Sequence, residues 1–74
     1  MDLWVRSQDR ENLSKVEHLG VFNKKIYVNG YEESGYCIGT YKTKERALEV
    51  LDEIQGILID YSKISRVVYQ MPKE

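Results

Sequence analysis

The chain has 74 residues, a formal net charge of −1, one cysteine and one histidine. A chain of this length forms a single domain that buries only about 60% of its unfolded surface, and such small domains are commonly stabilised by a disulfide, a metal or a partner subunit. The lone cysteine excludes an intrachain disulfide, and no Cys/His spacing fits a metal site. Of these three means of stabilisation only a partner subunit is left, so we expect a homodimer. The near-neutral charge argues against a nucleic-acid partner.

The N-terminal segment and the hydropathy pattern bear on location. The first residues, MDLWVRSQDRE, lack the apolar centre of a signal peptide. No apolar run approaches the roughly 18 residues that a membrane span needs. A lone cysteine suits a reducing compartment. We therefore expect a soluble cytoplasmic protein that does not bind membranes.

Four short segments in the first half of the chain have the alternation or the β-branched and aromatic content of strands. They are Leu3–Gln8, Val16–Phe22, Lys25–Gly30 and Tyr36–Tyr41. Turn-forming residues predict loops at Asp9–Lys15 and Asn29–Gly35, and a tight reversal at Asn23–Lys25. Gly20 interrupts the second segment and indicates a β-bulge.

The segment GTYKTKERALEVLDEIQ contains the clearest helix signal. Thr43 suits the N-cap, and Glu45 lies in the first turn, where a carboxylate stabilises the positive end of the helix dipole. Apolar residues recur at i, i+3, i+4 and i+7, which is typical of one buried helix face. They are Ala47, Val50, Leu51, Ile54, Ile57, Leu58 and Tyr61. We predict a helix from Lys44 to Asp60.

The last part of the chain predicts one more strand. Ser62–Ser65 ends the helix, and Ser65–Met71 is β-branched and aromatic up to the sole proline, Pro72. The predicted order is therefore β-β-β-β-α-β. This order predicts a two-layer α+β fold, in which one helix covers one face of an antiparallel sheet of about five short strands.

The reactive side chains form no catalytic pattern. His18 has no serine or cysteine pattern around it, and Cys37 lies in a strand pattern, where a thiol packs as a small apolar group. Glu32 and Glu33 are adjacent in a loop, where solvation accounts for them. The segment GYCIG lacks the spacing and the Lys-Ser/Thr ending of a phosphate loop. We expect no enzymatic activity, no cofactor and no metal.

The first strand carries residue types that are common in protein-binding hot spots. Trp4, Arg6 and Gln8 share one face, and Leu3 and Val5 share the other. If Leu3 and Val5 face the helix, the Trp4 face points outward and is a candidate interface. In the alternative, Trp4 is buried, and Leu3 and Val5 point outward. We slightly favour a buried Trp4, either in the core or in a dimer contact.

Tyrosine is also enriched at interfaces, because it combines a broad apolar ring with a polar tip. Six tyrosines are present. Tyr31, in the predicted hairpin loop, and Tyr36, at the start of the next strand, are the interface candidates among them.

Leu48 and Ile59 lie off the main apolar stripe of the predicted helix. Together with Gly56 in the helix interior, they suit a partner helix that approaches closely. Gly56 also fits a helix that frays near its end.

Two basic segments, KTKER (Lys42–Arg46) and NKK (Asn23–Lys25), are candidates for a modest anion-facing patch, with a solvated surface as the common alternative. A phosphate-bearing ligand held between two subunits would use Arg6 or Arg66 as an anchor.

Three segments resemble a group of small proteins from phages and prophages of Gram-positive bacteria. They are WVRSQD (Trp4–Asp9), GTYKTKERALEVLDEI (Gly39–Ile54) and QMP (Gln70–Pro72). The pattern of the group is (L/W)-(I/V)-R-S-Q-D, then G-x-Y-x-(S/T)-x-E-(R/K)-A-(L/I)-x-V-L-D-x-I, then a closing Q-M-P. The resemblance spans nearly the whole chain, and it transfers no residue role.

The resemblance implies a phage anti-defence protein that inhibits a bacterial immunity system by direct binding, similar to the small homodimeric inhibitors of the Hachiman helicase–nuclease system. Such a protein would bind a host defence protein in the cytoplasm of the bacterial cell. Two other functions remain open. One is a sponge that sequesters a nucleotide immune signal between subunits, and the other is a phage accessory protein unrelated to immunity.

Overall fold

The computed structural model describes residues 2–30, 35–60 and 66–74. In chain order, these residues form β1 (Asp2–Arg6), β2 (Leu13–Lys15), β3 (Leu19–Phe22), β4 (Lys25–Val28), β5 (Tyr36–Thr40), α1 (Lys44–Asp60) and β6 (Arg66–Gln70). The predicted α+β class is confirmed, and α1 has the predicted bounds. Tyr31 and the predicted helix break at Ser62–Ser65 lie outside the described residues.

The strands form two three-stranded sheets rather than one sheet of about five strands. The first sheet has the order β2-β1-β6, and the second has the order β3-β4-β5. In the first sheet β6 runs parallel to β1, with Asp2 beside Arg66 and Arg6 beside Gln70. This pairing differs from the expected antiparallel arrangement, because the β2–α1 segment forms a long crossover that returns the chain to the same end of β1.

β2 lies in a segment that was predicted as a loop. It pairs antiparallel with β1, with Trp4 opposite Lys15 and Arg6 opposite Leu13. The predicted loop is therefore present only in the first part of Asp9–Lys15. Leu13–Lys15 is extended because it pairs with β1, and pairing with another strand leaves no signal in the local sequence.

The second predicted strand, Val16–Phe22, is too long by three residues, because β3 begins at Leu19. The Asn29 side chain accounts for the difference. Its Oδ1 accepts the N–H groups of Glu17 at 2.7 Å and His18 at 3.1 Å, and its Nδ2 donates to the Lys15 carbonyl at 2.9 Å. These bonds hold the β2–β3 connection in a bend. The reversal after Phe22 is as predicted, with Asn23 at a φ of 55°.

One hydrophobic core lies between the two sheets and α1. Its buried residues come from β1, β4, β5, β6, the helix and the segments that follow β5 and β6. They are Leu3, Val5, Ile26, Val28, Ile38, Tyr41, Ala47, Val50, Ile54, Tyr69 and Met71. The helix therefore covers apolar faces that the short strands cannot bury alone.

Candidate interaction surfaces

The outward face of the first sheet is the first candidate surface. Leu3 and Val5 are buried, so Trp4 and Arg6 point away from the core. Trp4 is only partly buried, so it does not lie in the core, and its predicted alternative place in a dimer contact stays a prediction. The pairing register places Val68 beside Trp4 on one side, and Leu13 beside Arg6 on the other.

Apolar and basic groups are mixed on this surface, which we call the Trp4 face. It comprises Trp4, Arg6, Leu13, Lys15, Arg66 and Val68. Leu13 is 56% exposed and Val68 is 59% exposed. Lys15 lies 3.7 Å from the Asp2 carboxylate in an exposed ion pair, which contributes little to stability. A tryptophan framed by exposed aliphatic and guanidinium groups has the composition of a binding hot spot.

Gln8, the third predicted residue of this face, has a different position. Its Nε2 donates to the carbonyls of Thr40 at 3.0 Å and Lys73 at 2.7 Å, and its Oε1 accepts the Thr40 N–H at 2.9 Å. Its backbone N–H donates to the Ile38 carbonyl at 2.8 Å. Gln8 thus joins the end of β1 to β5, and its amide is engaged within the chain.

The three segments that carry the phage-protein resemblance meet around this junction. Gln70 Nε2 donates to the Ser7 carbonyl at 3.0 Å, and the Tyr41 hydroxyl donates to the Pro72 carbonyl at 2.9 Å. A Cβ at Gly39 would lie 2.9 Å from the Tyr41 ring, which explains the G-x-Y spacing. These motif residues connect the two sheets and so have a structural role in this fold.

Within the first of these segments, Ser7 and Asp9 stabilise the turn after β1. The Ser7 hydroxyl donates to Asp9 Oδ1 and accepts the Asn12 N–H at 3.0 Å, and the Glu11 N–H donates to Asp9 Oδ1 at 3.0 Å. The Ser7 hydroxyl, and then the Glu11 N–H, lower the pKa of Asp9 from its ordinary value. Asp9 Oδ1 therefore accepts two hydrogen bonds within this turn, which gives the carboxylate a structural role there.

A groove along α1 is the second candidate surface. It has a volume of about 350 Å³ and lies between the helix and the β2–β3 connection. Its walls are Leu3, Val16, Glu17, His18, Leu19, Leu51, Ile54, Gln55 and Leu58. Leu48 and Ile59, the two predicted interface residues of the helix, are 41% and 67% exposed and lie beside it. The groove and these two residues form a mostly apolar helix surface.

Gly56 lies in this helix, and the described residues give no packing reason for a glycine there. A Cβ at this position would meet no atom within 4 Å. α1 continues to Asp60, so the alternative that the helix ends near Gly56 is wrong.

The N-terminal end of α1 is the third candidate surface, and it is basic. Lys24, Lys25 and Lys44 line a depression of about 450 Å³ with Phe22, Asn23 and Thr40. A neighbouring depression of about 650 Å³ is lined by Thr40, Tyr41, Lys42, Arg46, Lys73 and Glu74. The two basic segments noted in the sequence therefore come together. The Thr43 hydroxyl caps the helix by accepting the Arg46 N–H at 3.0 Å, as predicted.

The tyrosines divide between core and surface. Tyr27, Tyr41 and Tyr69 are buried, while Tyr36 is 74% exposed. Burial raises the pKa of Tyr41. Burial, followed by the negative charge of Glu53, raises the pKa of Tyr69 to about 12. Arg46 lies over the Tyr41 ring, with 6.0 Å between its guanidinium carbon and the ring centre. Of these four tyrosines, only Tyr36 is available to a partner.

Among residues 2–30, 35–60 and 66–74, no three His, Cys, Asp or Glu side chains converge in a way that could hold a metal ion. No helix in the described part of the chain combines the length and the apolar character that a membrane crossing requires. Cys37 is exposed, and its thiol lies 3.5 Å from the Gly39 carbonyl.

The chain matches no family model, no curated protein and no solved structure.

Proposed function

We propose that this protein is a non-enzymatic inhibitor that blocks a target protein by direct contact through the Trp4 face. The observation that carries the proposal is the outward position of Trp4 in the central strand of a sheet, beside exposed Leu13, Val68 and Arg6. A large aromatic ring surrounded by groups that exclude water is the usual anchor of a protein interface. Lys15 is paired with Asp2, and the two arginines Arg6 and Arg66 favour an acidic patch on the target.

The motif resemblance supports the class of target. The resemblance to small phage proteins implies an anti-defence role in the host cytoplasm. The target would be a bacterial immunity protein such as the Hachiman helicase–nuclease. The small size supports action as a homodimer, because a chain of 74 residues without a cross-link gains stability from a partner subunit.

The test is co-expression with a panel of bacterial defence systems, followed by phage plating and affinity purification. The wild-type chain is expected to restore phage growth against one system and to co-purify with a protein of that system. Trp4→Ala and Leu13→Glu should each weaken binding at least about tenfold, because they remove the anchor or place a charge in the contact.

Phe22→Ala is the matched control, because Phe22 is an exposed aromatic residue on the other sheet, and it should bind as the wild type does. Leu13 is exposed, so Leu13→Glu should keep the fold, and an unchanged circular dichroism spectrum would show that a loss of binding is not caused by unfolding. Unchanged binding in both Trp4 face variants would rule out this surface. If the wild type protects phage from no system, an accessory role unrelated to immunity becomes the better explanation.

The basic end of α1 supports a second candidate function, a sponge for a nucleotide signal. This surface has one lysine in β4 (Lys25), one in α1 (Lys44) and one in the turn between β3 and β4 (Lys24). Together they could contact phosphate oxygens. Arg6 and Arg66, the predicted anchors, lie instead on the Trp4 face. A bound nucleotide would raise the melting temperature of the wild type, and Lys25→Glu would abolish the shift. No shift with cyclic or linear nucleotides would exclude the sponge.

A further inference from the structure

β6 forms an open edge of the first sheet. It is the last strand in the order β2-β1-β6, and the described residues place no strand on its other side. The Met71 N–H donates to the Arg6 carbonyl at 3.0 Å. In the parallel register of β1 and β6, this bond sets the backbone groups of Val67 and Tyr69 towards β1. The N–H and C=O groups that point away from β1 are those of Arg66, Val68 and Gln70.

The other edge strands of the two sheets are shorter or already bonded. β2 has three residues and β3 has four. Beside β5, the Gln8 N–H donates to the Ile38 carbonyl at 2.8 Å, and the Gln8 side chain bonds both backbone groups of Thr40. β6 has five residues, contains neither proline nor lysine, and pairs with β1 in an unbroken register. Proline, lysine and bulges are common protections of an edge, so β6 is suited to pairing with a further strand.

A second copy of β6 fits this edge when the two strands run antiparallel about a two-fold axis at Val68. Val68 then lies opposite Val68 of the other copy, and Arg66 of each copy lies opposite Gln70 of the other. Each pair can exchange its outward N–H and C=O groups, which gives about six backbone hydrogen bonds. A typical protein interface has about ten direct hydrogen bonds, with a spread of about five. The edge is therefore long enough to supply a large share of the bonds of a dimer interface.

The side chains on the Trp4 face fit the same register. The two Val68 side chains come together at the axis, and each has Trp4 of its own chain on its other side. The two Arg66 residues are four positions apart along the paired strands, which is about 14 Å. Each Arg66 also lies beside Asp2 of its own chain. Like charges are therefore not placed opposite each other along the paired strands.

We propose that a second copy of this chain adds its β6 antiparallel to β6 of the first, so that the two three-stranded sheets join into one continuous sheet. The inference rests on the homodimer of the proposed function, and it names the surface and the register. The joined sheet would carry two Trp4 faces side by side, which doubles the surface offered to the target.

Cysteine cross-linking tests the position of the axis. In a Cys37→Ser background, Val68→Cys chains should cross-link with each other through a short bifunctional thiol reagent, because the register sets their Cα atoms about 5.5 Å apart. Leu13→Cys is the matched control. Leu13 is exposed on the same face, but the register separates its two copies by five strand spacings, about 24 Å. Equal cross-linking of the two variants, or none in either, would overturn the inference.

Opposite charges at position 68 test the contact itself. The wild type should approach twice its 8.7 kDa mass in light scattering as its concentration rises. Val68→Arg and Val68→Glu chains should each dimerise about fivefold more weakly, because like charges would face each other across the axis. An equal mixture of the two should regain the dimer. Val68 is 59% exposed, so both variants should keep the fold, which circular dichroism checks.

The outcomes separate this inference from the proposed function. A mixture that dimerises no better than either charged variant alone overturns the pairing. A dimer that persists unchanged in both charged variants also overturns it, and leaves the edge to a strand of another protein. A wild type that stays monomeric at millimolar concentration overturns both the pairing and the homodimer. None of these results decides target binding through the Trp4 face, which is measured separately with Trp4→Ala.

Discussion

At the scale of single residues, Tyr69 shows how burial changes the chemistry of a polar side chain. Its ring lies in the core, and its hydroxyl donates a hydrogen bond to Glu53. Burial, and then the charge of Glu53, raises its pKa from an ordinary value of 10.0 to about 12. The neutral phenol is therefore favoured by folding, and the phenolate is disfavoured.

The raised pKa of Tyr69 predicts a loss of stability in alkali. A group whose pKa is higher in the folded state contributes its full stability below the unfolded pKa of 10.0, and this contribution is lost as the pH rises towards about 12. Tyr69→Phe removes the titrating group. The free energy of unfolding of this variant, measured by urea denaturation, should therefore fall less steeply between these pH values than that of the wild type.

Tyr36→Phe is the control, because Tyr36 is exposed, and it should follow the wild-type curve. A Tyr69→Phe curve parallel to that of the wild type would show that Tyr69 does not titrate differently in the two states. At neutral pH the variant should be less stable, since it lacks the bond to Glu53.

The residue scale also shows what sequence can predict of a surface. Alternation alone places Trp4 and Arg6 on one face of a strand, and the structure shows that face outward. Alternation cannot say which face is inward when both carry large apolar groups. Leu13 and Val68 join the Trp4 face only through the register of β1 with β2 and β6, and a register between distant segments leaves no local signal.

At the scale of elements, α1 and β2 are the two extremes of predictability. The helix begins after the Thr43 cap and follows its own apolar repeat to Asp60, so local residues determine where it begins and which face is buried. β2 has three residues and no buried side chain. It is extended because it forms hydrogen bonds to β1. The local sequence of the same residues predicts a loop.

Gly56 offers a test of the helix element. Glycine in a helix interior lowers stability relative to alanine, and a methyl group here would meet no atom within 4 Å. Gly56→Ala should therefore raise the free energy of unfolding by about 0.5–1 kcal/mol. The measurement is urea denaturation in a Val68→Arg background, in which the proposed self-association is weakened.

Gly39→Ala is the contrasting control for this prediction. Its new methyl group would lie 2.9 Å from the buried Tyr41 ring, so the variant should lose stability. If Gly56→Ala were also destabilising, then Gly56 would have a packing role inside the chain, and the prediction that it allows the close approach of a partner helix would fail.

At the scale of the whole molecule, two small sheets and a helix form one unit because they share one hydrophobic core, and polar contacts connect them further. Gln8 joins β1 to β5, and Asn29 holds the β2–β3 connection. The sequence analysis predicted one sheet, because its strand signals contain no information on which strands pair. The parallel contact of β1 with β6 joins the two ends of the described chain, and no local pattern predicts it.

The last three residues contribute to the same network through their backbone carbonyls. The Tyr41 hydroxyl donates to Pro72 at 2.9 Å, and Gln8 Nε2 donates to Lys73 at 2.7 Å. The Arg46 guanidinium donates to the Glu74 carbonyl through two nitrogens, at 3.0 and 2.8 Å. These four bonds connect the tail to β1, to the segment after β5 and to α1.

Deletion of residues 72–74 should therefore destabilise the whole molecule rather than fray one end. Each bond contributes about 0.5–1.5 kcal/mol net, and several are partly exposed to water, so we expect the free energy of unfolding to fall by about 2 kcal/mol. Replacement of the same three residues by alanine keeps the backbone carbonyls and should cost much less. Equal losses in the two variants would mean that the side chains, and not the carbonyls, connect the tail. A deletion variant with wild-type stability would show that β1, β5 and α1 are held together without it.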